Sequence, residues 1–408
     1  MRMKRIFALV VCVVLVCLTL VGCKKDIDWL AEYGYEPEEV VEVYYDFYIV
    51  TGAETDKKAV ETVMAKLNQL FSDKYNTKLN MHYISEESYE NGGLQAKINE
   101  RMAANYQVPQ EYSKCYYGGK IVLITDYSML EDVTVGEKKL GEVLAPLDSY
   151  LETNAFGKLN TQIASTLLAA AENTDRGTLA IPNNRRIGEY TYCVVNRTLA
   201  ENLYGFSAQT EIPEMTSFSS VYAAQLIAMD GVTLGDDGAY YSGPQSEGKK
   251  LMYITTGNYE DKIENQSDEW FWNVSAYPVA TTEMAYESAF GVIPSANIYE
   301  DKQVTNQDGS VTTQKVLVLD YAARAMEIIY AINTDVAVRN TLQYGVQNTH
   351  FYLGEDNVVD LAESETNNYV MDLKYTGDIL KAYYFGEEWT SDMAASLKKQ
   401  NDESVFSE

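Results

Sequence analysis

Histidine is almost missing from this chain: His82 and His350 are the only two in 408 residues. They form no pair at metal-binding spacing, and the chain has no GxSxG, no phosphate loop and no CxxC, so the short signatures of hydrolase, nucleotide and redox chemistry are absent. Cysteine is scarce as well. Of five, three fall within the first 23 residues, leaving Cys115 and Cys193, which show no disulfide framework; one bridge and two buried thiols are both open. Positive charge is thin, with 32 Lys and Arg against 60 Asp and Glu and a net charge of −28, a surface that repels nucleic acid. Asp236, Asp237 and Gly238 lack the spacing of a calcium loop. No metal and no cofactor are therefore expected. Beyond the N-terminus, nothing is long and apolar enough to span a membrane.

What is present at the N-terminus is ordered in three parts. Arg2, Lys4 and Arg5 precede an apolar run from Ile6 to Leu20, and Val21, Gly22 and Cys23 follow. That order is a signal peptide; the run is too short for a permanent span and is followed at once by Lys24, Lys25 and Asp26. Leu20-Val21-Gly22-Cys23 resembles the lipobox of bacterial lipoproteins, which implies cleavage before Cys23 and lipid on its sulfur. The expected location is the extracytoplasmic face of the cell membrane, lipid-anchored. Residues 1–22 are then the leader and 23–40 a polar, acidic tether, with order beginning near Val41. The remaining chain is longer than one core usually organises, so two lobes are expected.

Residues 43–50 (VYYDFYIV) read as a buried strand. A helix capped by Thr55 or Asp56 follows, with Val60, Val63, Met64, Leu67, Leu70 and Phe71 on one face. Leu79, Met81 and Tyr83 alternate as a second strand, which makes a βαβ unit with parallel strands. Leu94, Ile98 and Met102 mark a helix over 94–106, residues 120–125 (KIVLIT) a third strand, and Leu159, Ile163 and Leu167 another helix. TLAIP at 178–182 and YTYCVVN at 190–196 are strands separated by polar residues 183–189, where the chain is expected to cross between lobes. Beyond come a helix at 216–230 ended by Gly231, a loop rich in Gly and Asp over 231–248, and strands LMYITT and AFGVIP. Asp308-Gly309 reads as a hairpin turn, and from Asp320 two helical segments run, interrupted at Asn333–Asp335 and closed by Gly345.

Four stretches in this order resemble a known family: the βαβ start with VETVMAKLNQLFSDKYN, then GTLAIPNNRRIGEYTYCVVNRTLAE, AFGVIPSA, and NTDVAVRNTLQYGVQNTHFYL. The family is that of the extracellular solute-binding lipoproteins of bacterial ABC importers, the Gram-positive branch assigned to sugars. The resemblance implies an α/β, two-lobed clamp of the periplasmic-binding-protein-like type II kind, with a hinge between lobes. Lobe 1 would be 41–184 plus 286–345, and lobe 2 would be 185–285 plus 346–408. It implies a monomeric receptor that captures an oligosaccharide or other carbohydrate and delivers it to ABC permease subunits without catalysis.

In open α/β sheets, ligands meet loops at the carboxyl ends of strands. The rule nominates Thr51, Gly52 and Glu54 after the first strand, Asp126 and Tyr127 after KIVLIT, Asn183, Asn184, Arg185 and Arg186 after TLAIP, and Gly257, Asn258 and Tyr259 after LMYITT. Sugar faces lie on aromatic rings, and the chain carries 33 tyrosines and four tryptophans, so Tyr259, Trp270 and Trp272 join the candidates. His82 reads as a hydrogen-bonded strand residue and His350 as fixing the turn after Gly345. A peptide or amino-acid receptor would place charge rather than aromatic faces in the cleft. A surface glycan-binding protein would bind sugar without a permease, and a glycoside hydrolase would cleave it with paired carboxylates, which need no short motif.

Overall fold

The computed structural model describes residues 42–407 except 53–54, 104–105, 173, 205–226, 247, 259–267, 306–309, 363–366 and 370. The leader, the tether and Cys23 lie outside the described residues.

Strand β1 (Val43–Thr51) is buried along eight of its nine residues, as befits an interior strand paired on both sides in a sheet buried on both faces. Helix α1 (Lys57–Tyr75) buries Ala59, Val63, Leu67 and Phe71, a single stripe at four-residue spacing. Asn76 ends it in the left-handed conformation. Asp56 stands at the N-cap, but its carboxylate accepts the Asn368 N–H at 2.8 Å instead of capping the helix. β2 (Thr77–Ser85) then runs parallel to β1, in register from Val43 with Thr77 to Thr51 with Ser85. The expected helix over 94–106 is shorter: α2 (Leu94–Met102) ends where Ala103 turns extended, which leaves Met102 exposed rather than packed. β3 (Tyr116–Ile124) pairs parallel to β1 on its other side. Gly118 in β3 admits no side chain, since a Cβ there would sit 2.3 Å from the Tyr45 ring.

Leu159, Ile163 and Leu167 are all buried, but not on one helix. Ile163 is extended and separates two short helices, Leu159–Gln162 and Ser165–Glu172. β4 (Ala180–Pro182) forms the sheet's edge.

The chain crosses at 183–189 to a second sheet. Its strands are β5 (Tyr190–Asn196), β6 (Val232–Leu234), β7 (Tyr240–Ser242), β8 (Lys249–Gly257) and β9 (Glu269–Asn273), antiparallel in the order β9-β5-β8-β7-β6. The expected 231–248 loop thus contains two short strands, β6 and β7, turning at Gly238 with φ +75°. Most of the expected 216–230 helix lies outside the described residues.

The chain returns over 274–288, and β10 (Ala289–Pro294) inserts antiparallel between β3 and β4, completing the order β2-β1-β3-β10-β4. β11 (Ile298–Thr305) and β12 (Val311–Leu319) form a hairpin whose Asp308-Gly309 turn lies outside the described residues. The carboxylate of Asp320 accepts two backbone N–H groups to cap α3 (Tyr321–Thr334), and Asp335 does the same for α4 (Val336–Tyr344). Tyr369, Met371 and Tyr375 join the core of the first sheet. α5 (Ser391–Glu403) lies against the 183–189 crossing, and Val405–Phe406 pairs with Val279–Ala280 of the return segment. The architecture is α/β in two lobes, each with a five-stranded sheet: one large hydrophobic cluster packs on the first sheet and two small ones on the second. Cys115 and Cys193 are both free thiols.

A candidate ligand-binding cleft

The carboxyl ends of β1, β2 and β3 open together. After β2, the Ser85 hydroxyl accepts the Ser88 N–H at 3.3 Å and starts a turn that presents Glu86 and Glu87. Tyr89 follows, buried, with its hydroxyl donating to the Leu123 carbonyl of β3. After β3, the Asp126 carboxylate accepts the Ser128 N–H at 2.7 Å. A fourth wall comes from far along the chain. Asp372 caps a short turn over Leu373–Tyr375, its carboxylate accepting the Lys374 N–H at 2.9 Å.

Two cavities occupy this end of the sheet. The larger, about 700 Å³, is lined by Val50, Thr51, Gly52, Ser85, Glu86, Glu87 and the segments contributing Tyr344, Met371 to Leu373, Tyr375, Phe385 and Glu388. The smaller, about 400 Å³, lies toward β3, with Tyr89, Gln95, Thr125, Asp126, Ser128, Met129 and Asp132 in its wall. Val50, Glu86 and Tyr375 belong to both. Tyr375 donates to Glu86 Oε1 at 3.4 Å, and Lys374 Nζ stands 3.4 Å from the same oxygen, 3.8 Å from Asp372 and 4.5 Å from the centre of the Tyr375 ring. Burial works against charge on Lys374, but Tyr375, Asp372 and Glu86 outweigh it and hold its pKa above the usual value. Among the described lining residues there are six carboxylates and no Lys, Arg or His. Such a wall offers acceptors for hydroxyl or ammonium donors and repels anions.

The sequence-nominated residues divide. Thr51, Gly52 and Asp126 line the cavities. Tyr127 packs edge-on against Tyr286, with ring centres 5.4 Å apart. Asn183, Asn184, Arg185 and Arg186 come together at the crossing, where each donates within the protein, while the buried Asn183 Oδ1 is left without a partner among the described residues. Asn183 Nδ2 donates to the Ser288 hydroxyl at 2.8 Å, and Asn184 Nδ2 donates to the Gln162 carbonyl and to Asp378, each at 3.1 Å. Arg185 pairs with Glu287 at 2.7 Å, while Arg186 donates to Gln400 at 2.6 Å. Gln400 of α5 in turn donates to the carbonyls of Ile187 and Gly188 and to Asn258. Gly188, at φ +73°, passes so close to α5 that a Cβ would stand 2.7 Å from the Ser404 hydroxyl. Trp270 and Trp272 pair through their backbones with Val195 and Cys193; their side chains, like Glu54 and Tyr259, lie outside the described residues.

Glu86, Glu87, Asp372, Tyr375, Phe385 and Glu388 are lining residues that the sequence did not nominate. The carboxyl-end rule, applied to β2 as well, reaches Glu86 and Glu87; the irregular 371–388 segment carries no such signal. His82 hydrogen-bonds the buried Asp46 at 3.1 Å and stacks on Tyr48, and His350 Nδ1 accepts the Val346 N–H at 2.9 Å, which holds the turn after Gly345. Among the described residues, no group of three His, Cys, Asp or Glu is placed to hold a metal.

No protein-family model and no curated protein matches this chain. Among solved structures it is similar to the N-glycan transport solute binding protein of Streptococcus pneumoniae, at TM-score 0.48 and 13% identity over 89% of this chain and 83% of that one. The same protein in complex with Man5GlcNAc gives TM-score 0.46 and 14% identity over 89% and 83% of the two chains. An HMO binding, ABC-transporter associated solute binding protein of Bifidobacterium longum infantis gives 0.40 and 10% over 88% and 82%.

Proposed function

We propose that this chain is an extracellular receptor for a neutral carbohydrate, working as a monomer held to the membrane by lipid on Cys23 and delivering its ligand to an ABC permease. The carrying observation is the wall composition at the carboxyl ends of β1 to β3, where carboxylate acceptors share the wall with apolar surface from Val50, Met371, Leu373 and Phe385. A sugar presents the complement, hydroxyl donors at its edge and C–H faces between them. Glu86, Glu87, Asp372 and Asp126 would accept those hydroxyls. The second lobe would close over the ligand by rotation about 183–189 and 274–288, trapping it by contacts available only in the closed form.

A second reading, a receptor for a cationic peptide, draws on the same carboxylates. A melting-shift screen with neutral oligosaccharides, acidic oligosaccharides and lysine-rich peptides separates the two. Neutral sugars are expected to raise the melting temperature. A shift with basic peptides alone, weakened by salt, would replace the carbohydrate reading. Solution scattering with the sugar that binds is expected to report compaction; an unchanged radius would remove the clamp. For the anchor, Cys23→Ser is expected to release the protein into the medium, and retention on the membrane would refute lipidation.

A further inference from the structure

β11 and β12 pair with each other, and among the described residues no other strand pairs with either. At about 3.3 Å per residue, the eight residues of β11 reach roughly 26 Å. A two-stranded hairpin is marginal in water by itself, and this arm is held at its root. Leu319 enters the core of the first sheet, the Ser295 N–H donates to the Gly118 carbonyl at 2.9 Å, and the Tyr45 hydroxyl donates to the Tyr321 carbonyl at 2.7 Å. Gly118 and Tyr45 lie toward the amino ends of β3 and β1, at the end of the sheet opposite the cleft. The described chain starts there too, where the Glu42 carbonyl accepts the Tyr116 N–H at 3.0 Å. Glu42 stands nineteen residues beyond Cys23. A flexible linker of that length averages roughly 24 Å and cannot exceed roughly 65 Å. The arm and the path to Cys23 therefore leave one end of the sheet, on matching scales.

We propose that one face of this arm lies on the phospholipid headgroup surface, so that the tethered protein stands with its cleft at the far end of the sheet from the membrane. This rests on the lipid anchor proposed above and is independent of what the cleft binds. Strand alternation puts Tyr299 with Leu317, Asp301 with Lys315, and Thr305 with Val311 on the same side of the hairpin. Tyr299 is 55% and Val311 58% exposed, which gives that face apolar surface toward both its ends. A tyrosine ring suits the headgroup level, its body apolar and its hydroxyl wet. Asp301 and Lys315 oppose one another across the strands and cancel. The chain as a whole carries −28, which anionic headgroups repel, whereas a face with no net charge approaches them without that penalty. Weak contact suffices, because a short tether holds the arm at an effective concentration of about a millimolar.

Hydrogen exchange on vesicles tests the contact. Residues 23–408 with an N-terminal hexahistidine are held on vesicles of phosphatidylcholine and phosphatidylglycerol that carry a nickel-chelating lipid, which supplies the tether however Cys23 is processed. Amides of 299–305 and 311–317 are expected to exchange about fivefold more slowly than with vesicles lacking the chelator. The hairpin of Phe351–Leu353 and Val359–Leu361 should keep its rate. Tyr299→Glu combined with Val311→Glu, both at exposed positions, is expected to abolish the slowing at an unchanged denaturant midpoint. Lys315→Glu, which gives the face a net negative charge, serves where that pair disturbs folding, and should lose the slowing as phosphatidylglycerol is raised. Unchanged exchange on tethering, or slowing that survives both variants, would overturn the lipid contact. Slowing only at high surface density would assign the face to a second copy of this chain, and slowing only in native membrane vesicles to a membrane protein; either result removes lipid as the partner. The anchor fails separately, by retention of Cys23→Ser on the cell membrane.

Discussion

The crossing between the lobes and the cleft beside it are both polar, yet they use polarity in opposite ways. At the crossing, Asn183, Asn184, Arg339 and Asp378 are almost fully buried, and each is tied to backbone or to a neighbour. In the cleft, Glu86 keeps about half of its side-chain surface in water, as does Lys374 beside it. Buried polar groups determine where the chain passes, since leaving any of them without a partner costs the full desolvation of that group. Exposed ones cost little to move and are free to meet a ligand. The two regions touch at one turn: Tyr375 lines the groove, and three residues on, Asp378 holds Asn184 while the Ile379 N–H donates to the Asn184 carbonyl at 2.9 Å. Substitutions at the crossing should therefore act on stability, and substitutions in the cleft on binding.

The largest effect is expected at Arg339. Its guanidinium is fully buried and donates to the carbonyls of Asp378 and Leu373, each at 3.2 Å. Arg339→Ala leaves both carbonyls unpartnered beside a cavity and should cost about 3 kcal/mol of unfolding free energy, read from the denaturant midpoint. An unchanged midpoint would break the comparison on the crossing side. A comparable effect comes from pH. Burial pushes the Asp378 carboxyl up to about 6, against the hydrogen bonds from the Leu380 N–H and Asn184 that favour its charged form. The folded protein then binds a proton that the unfolded chain has released, so this group lowers stability as pH rises from about 4 to about 6, and the loss of about 3 kcal/mol stays constant above that. Asp378→Asn removes the slope. Unfolding curves for both proteins at pH 4, 5, 6 and 7 should diverge from parallel only below pH 6; parallel curves throughout would show that Asp378 titrates normally.

Much of this fold is legible in the sequence because its strongest elements obey one period each. β1, α1 and β2 fall where VYYDFYIV, the Val63–Leu67–Phe71 spacing and the Leu79–Met81 alternation place them. Asp320, Asp335 and Gly345 likewise mark the ends of α3 and α4. Periodicity fails where an apolar pattern continues through a backbone break. Leu159, Ile163 and Leu167 keep helical spacing and all reach the core, although Ile163 is extended. The site was less legible. Residues 183–189 stand out as polar, but composition does not distinguish a polar group that waits for a ligand from one that satisfies a buried carbonyl; Asn184 does the second. Tyr375 and Asp372 are brought to the groove by an irregular segment whose position depends on contacts with distant residues, among them Gln343 Nε2 donating to the Met371 carbonyl. No local pattern encodes such contacts.

The smallest effect on stability, and the one that sharpens the comparison most, is expected at Glu86. Its ion pair with Lys374 has an N–O distance of 3.4 Å, with 53% of the Glu86 and 47% of the Lys374 side-chain surface exposed. Solvent screens such a pair to between 0 and about 1 kcal/mol, so Glu86→Gln should leave the denaturant midpoint nearly where it was. The same change replaces a charged acceptor by a neutral amide on a residue that lines both cavities. A neutral glycan that donates a hydroxyl there loses a charge-assisted bond, and affinity should fall about tenfold. Measuring midpoint and affinity on one preparation makes the contrast internal to the experiment. A large drop in stability would place Glu86 with the crossing residues as part of the scaffold, whereas full affinity with an intact fold would move the ligand away from the strand ends altogether.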